Sequence, residues 1–127
     1  MKKIVKLAVI CFLTTACSIA VIGCGKKADE NKPISDVKAE AEKMDAGKLK
    51  SMAQTYQTAL LAKKTEVEKI TAKLKEIPVT EMLGKDAKAL KDSIADLQKS
   101  VSALQERFNV YYEKLKEKGG DLSGLKV

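Results

Sequence analysis

The 127 residues leave room for one small domain, and they carry 24 Lys and Arg against 17 Asp and Glu, with no His and no Trp. Charged residues make up 32%, and after residue 34 Ala, Glu, Lys, Leu and Gln dominate, which is the composition of long helices. The basic residues are interspersed with acids instead of gathered into a stripe, which argues against a nucleic-acid binder.

The chain opens with a short positive segment, Met1-Lys2-Lys3 through Lys6, followed by an uncharged, mostly apolar run from Leu7 to Ile22. That run is shorter than the roughly 20 residues a membrane span needs, so a cleaved signal fits better than a transmembrane anchor. It ends in Val21-Ile22-Gly23-Cys24. An aliphatic residue at −3, a small one at −1 and then Cys resembles the lipobox of bacterial lipoproteins. The resemblance covers only these first two dozen residues. It implies cleavage between Gly23 and Cys24, removal of residues 1–23, and a diacylglycerol on the Cys24 thiol, with the protein facing the periplasm or the cell exterior. One acyl chain holds a protein only marginally to a bilayer, whereas two or more attach it stably. Cys17 is a rival site, but it puts Thr14 at −3 and leaves the apolar residues 19–22 unexplained. An uncleaved anchor and ordinary secretion stay open as further alternatives. Cys11 and Cys17 leave with the signal, which also takes Lys2, Lys3 and Lys6, and the remainder is 21 basic against 17 acidic. Gly25, standing where lipoproteins held at the inner membrane carry Asp, leans towards the outer membrane.

Residues 24–33 read as the lipidated Cys and a polar tether with nothing to pack. Lys26 and Lys27 suit either anionic headgroups, each worth about 1 kcal/mol near such a surface, or solubility alone. A short helix is expected over 34–44, with Ser35 as its cap and Ile34, Val37, Ala41 and Met44 on one side. Its phase does not run on, because Met44 to Leu49 is a five-residue step, and Asp45-Ala46-Gly47 marks a break with Asp45 as a cap.

Two long helices follow, over about 46–77 and from the low eighties to 119. The second carries Leu83, Ala87, Leu90, Ile94, Leu97, Val101, Leu104, Phe108, Tyr111 and Leu115, in alternating steps of four and three. The first carries Leu49, Ala53, Tyr56, Leu60, Lys63, Val67, Ile70, Leu74 and Ile77 in the same rhythm. Folding the chain about Met82 sets Leu49 opposite Leu115, Ala53 opposite Tyr111, Tyr56 opposite Phe108 and Leu60 opposite Leu104. The same register continues outward to Ile77 opposite Ala87. Lys63 is the one polar seam residue, expected to lay its stem on Val101 and send its ammonium to water.

The turn between them is Pro78-Val79-Thr80-Glu81-Met82-Leu83-Gly84-Lys85, with Thr80 or Asp86 available as a cap. Val79, Met82 and Leu83 are bulky and apolar where polar turn residues are the norm. Two readings stand: a contact site for a partner, or a lid on the last core layer. With the tether entering beside residues 46 and 118, the turn would stand about 48 Å from the bilayer. The second helix should end at Gly119-Gly120, and residues 120–127 should be a frayed tail.

The expected fold is all-α: an antiparallel two-helix coiled-coil hairpin over 34–119, with room for a short third helix at its N-terminal end. Flanking apolar residues (Met52, Ala59, Leu61, Ala89, Ala95, Ala103, Val110) invite extra cover, from that short helix or from a homodimer forming a four-helix bundle. No His, no thiol after lipidation, no phosphate loop and no carboxylate cluster at metal spacing are present, so neither an enzyme nor a metal or cofactor site is expected. The expected partners are the membrane, through Cys24, and a protein of the envelope. The expected role is structural, as a spacer or adaptor, with a periplasmic chaperone-like or inhibitory module using the tip as the alternative. A peptidoglycan link like that of the murein lipoprotein has weak support, since that protein ends in Lys and Lys126 here is followed by Val127.

Overall fold

A computed structural model describes residues 27–126, so Gly23, Cys24 and the rest of the expected signal segment lie outside the described residues. The chain is all-helical: α1 (Ile34–Lys43), α2 (Ala46–Glu76), a single 3-10 turn (Val79–Glu81) and α3 (Lys85–Glu117), with no strand among the described residues. The two long helices pack on each other as a hairpin, and α1 packs on α3.

The helix ends follow local chemistry. Asp45 caps α2 as expected, its carboxylate accepting the Lys48 N–H at 2.8 Å. At the far end Ile77 is extended ahead of Pro78, which cannot continue a helix. The other two expected caps are corrected. Pro33, not Ser35, occupies the cap position of α1, and its carbonyl accepts the N–H groups of Asp36 and Val37 at 3.1 Å. Gly84, not Thr80 or Asp86, precedes α3, because Thr80 is taken up by the 3-10 turn and Asp86 already lies in the first helical turn. There its carboxylate opposes the positive end of the helix dipole.

Burial divides the hairpin into unlike halves. The four inner layers (Leu49 with Leu115, Ala53 with Tyr111, Tyr56 with Phe108, Leu60 with Leu104) are fully buried. Beyond them Val67, Ile70, Leu74, Ile77, Leu90, Ile94, Leu97 and Val101 are only half-buried, and Ala87 alone is closed off. The two helices stay side by side out there, where Lys64, Val67 and Glu68 share a shallow groove with Gln98, Val101 and Ser102. Lys63 is half-buried, and its ammonium reaches the surface to pair with Glu66 at 3.6 Å.

The difference is cover. Val37, Ala41 and Met44 bring α1 into the inner core. The Lys118 ammonium fastens its C-terminal end by donating to the carbonyls of Glu42 (2.9 Å) and Met44 (2.6 Å). The C-terminal tail supplies the rest, and it is packed where the sequence suggested fraying. Gly119, at φ +65°, and Gly120 form a Schellman turn, donating their N–H groups to Lys116 and Leu115. Gly120 sits so tightly that a Cβ there would lie 2.1 Å from Leu115 Cδ1. The tail then returns along α2. Leu125 is buried, Leu122 packs beside it, Lys50 pairs with Asp121, and the Gln57 amide donates to the carbonyls of Gly124 and Lys126.

Truncation should therefore cost unequally along one seam. Leu60→Ala or Leu104→Ala should lose about 2–5 kcal/mol, the range for emptying a closed core site. Ile70→Ala or Ile94→Ala should lose about half as much, since water already reaches those side chains. Chemical denaturation of the four variants measures the contrast.

Candidate functional site

The backbone of the hairpin turn is tied by hydrogen bonds. Glu81 N–H donates to Pro78, Met82 to Val79 and Gly84 to Glu81, at 2.8, 3.3 and 2.8 Å. Lys91 ties it to α3 by donating to the Met82 carbonyl at 3.3 Å. On this frame the three apolar residues separate. Met82 is half-buried, whereas Val79 is 89% and Leu83 98% exposed. Val79 and Leu83 therefore do not lid the last layer; of the three, only Met82 is placed to do so. Charges around them are mixed: Lys75, Glu76, Glu81, Lys85, Asp86 and Lys88.

A second constellation lies where a bare tether was expected. Residues 28–32 form a strap against the hairpin. Ala28 packs on the core, and the Tyr56 hydroxyl lies 3.2 Å from both the N–H and the carbonyl of Asp29, donating to one and accepting from the other. The Asp29 carboxylate folds the strap by accepting the Asn31 N–H at 2.9 Å. Glu30 accepts from the Ser100 hydroxyl at 3.1 Å. The Lys32 carbonyl receives Nε and a terminal nitrogen of Arg107, whose other terminal nitrogen donates to Ala103 at 2.7 Å. Arg107 is only 7% exposed. A fork of fixed donors suits this site, and Lys could not fill it.

Behind the strap, Lys32 pairs with Glu40 at 2.5 Å. Burial pushes the Tyr111 hydroxyl well above its ordinary range, with Tyr56 and Glu40 adding to the effect. Tyr56 and Tyr111 stack at 5.5 Å. At the surface, hydrogen bonding to Lys114 holds Glu42 below the usual carboxylate range, the Lys48 N–H does the same for Asp45, and Lys50 does it for Asp121.

The strap relocates the point where the chain enters. Glu30 lies against Ser100, the middle of α3, and Lys32 against Arg107, whereas entry was expected beside residues 46 and 118. The reason is that α1 runs alongside α3 in the same direction, from Arg107 at its start to Lys118 at its end. One signal for this was visible in the sequence: Arg107 is the sole Arg among 24 basic residues.

Among the described residues no group of three or more His, Cys, Asp or Glu is placed to hold a metal, and no helix is long and apolar enough to cross a membrane. Three of the side chains that line the groove between α1 and α3 are paired with one another, Lys114 with both Glu42 and Glu117. No family model, curated protein or solved structure matches the chain.

Two outcomes follow from this geometry. The double change Val79→Ser with Leu83→Ser should alter stability by no more than about 0.5 kcal/mol, as for other surface positions. Met82→Ser should cost about 1–2 kcal/mol and several degrees in melting temperature. The second outcome concerns acid. Glu42, Asp45 and Asp121 all titrate lower in the folded chain than when unfolded, so their stabilisation is complete above the ordinary carboxylate range. It is lost as pH falls below that range, through their folded values. Melting temperature should fall between pH 5 and pH 2, and Asp121→Asn should shrink the fall; a scan at about one-unit steps reads both.

Proposed function

We propose that this protein is a lipid-anchored lipoprotein of the bacterial cell envelope, attached through Cys24, with a non-enzymatic adaptor role. The anchor reading rests on the positive start, the short apolar run and the Val21-Ile22-Gly23-Cys24 ending. The adaptor reading is carried by one observation: a backbone-tied turn at the end of a long hairpin holds Val79 and Leu83 out in solvent. Held there, both side chains are available to whatever meets the turn. Gly25 after the lipidated residue favours the outer membrane where the cell has one.

Metabolic labelling with palmitate tests the anchor. Wild type and Cys17→Ser should incorporate label and fractionate with membranes. Cys24→Ser should stay unlabelled and accumulate as the longer precursor. Label retained by Cys24→Ser would remove the lipoprotein reading.

A further inference from the structure

We infer that the hairpin tip docks on the same lipid bilayer that holds the anchor, with Val79 and Leu83 inserted among its headgroups. The inference rests on lipidation at Cys24 and names the partner that the tip meets.

The strap carries the reasoning. It fixes the chain against Ser100, Tyr56 and Arg107, near the middle of the hairpin. Only Gly25 and Lys26 separate Lys27 from Cys24, and the three steps between those two residues reach at most about 11 Å. The bilayer surface must then pass within about 18 Å of Asp29, five steps from Cys24, where the strap is fixed to the hairpin. An upright hairpin cannot satisfy this. With 33 residues, α3 is about 50 Å long, so either end set on the membrane would lift the middle roughly 25 Å above it. The hairpin must lie down, and the turn, about 22 Å along α3 from Ser100, comes within reach of the surface.

Exposure matches this posture. The large apolar side chains most exposed among the described residues are Leu61, Val79 and Leu83. Leu61 lies close to the level of the strap, and the other two lie at the tip. Leu61 adjoins Leu60 at the edge of the inner half, and the part nearer the base, where α1 and the tail cover the seam, has none.

Size favours lipid over a protein at this spot. A specific protein contact buries about 800 Å² on each partner, far more than two side chains on one turn can offer. A surface already held by the anchor needs much less, because the tether turns docking into an intramolecular event at high effective concentration.

The absence of Trp from the sequence supplies a clean probe. Leu83→Trp, at a fully exposed position, introduces the sole Trp without touching the core. The lipidated full chain is reconstituted into phosphatidylcholine vesicles with either ordinary or brominated acyl chains. Emission from Leu83→Trp, and from Val79→Trp, should shift to shorter wavelength and lose most of its intensity in the brominated vesicles. A Gly-Ser insertion between Gly25 and Lys26 should weaken that quenching while the protein still floats with vesicles. Protein that floats but keeps its full emission overturns the docking alone. Emission shielded from iodide yet unquenched by bromine also overturns it, and shows a second copy of the chain covering the tip. Failure to float at all removes the anchor reading and the inference with it.

Discussion

A seam of two helices cannot close on itself. Each a and d side chain is covered by the facing helix on one side and left open along both flanks. The architecture of this protein follows from where that deficit is met. On the inner half, α1 lies over α3 and the C-terminal tail lies over α2, so Leu49, Tyr56, Leu60, Leu104, Tyr111 and Leu115 become a true core. On the outer half nothing is added, and aliphatic residues of the same kind stay half-wet. The inner half is a small bundle; the outer half is a bare arm projecting from it.

The buried guanidinium of Arg107 joins these parts to the strap. Its donors meet the carbonyls of Lys32 and Ala103, so the charge is solvated by backbone dipoles instead of by a carboxylate. That arrangement fixes the strap by geometry, since a planar fork holds a chain in one place and direction. Pro33 then starts α1 directly from the clamped residue. Strap, short helix and inner core are thus one continuous structure.

The sequence made the hairpin legible because its signal was redundant. Two heptad seams, Pro78 between them and a single fold-back point at Met82 all agreed, and the residues buried between α2 and α3 are members of those seams. What it left hidden was contact made by segments without periodicity. Residues 28–32 look like linker because their side chains are polar, yet it is mostly their backbone that is bound, by Tyr56 and Arg107. The tail looked frayed because two leucines among Gly, Ser and Asp form no pattern. Leu122 and Leu125 nonetheless find α2 once the Gly119–Gly120 turn reverses the chain. The tip was half legible: composition marked Val79, Met82 and Leu83 as unusual, but only the turn geometry separated the half-buried one from the two exposed.

The graded burial along α2 and α3 has a mechanical consequence. Layers that are half-wet release little on being parted, and each one opened makes the next an end. A pull on the turn would therefore unzip the arm progressively from Ile77 and Ala87 inward. It would stall at Leu60 and Leu104, where α1, the strap and the tail must come away together. The hairpin behaves as a compliant lever on a stiff base, and the base can keep its grip on the chain leading to Cys24 while the lever gives.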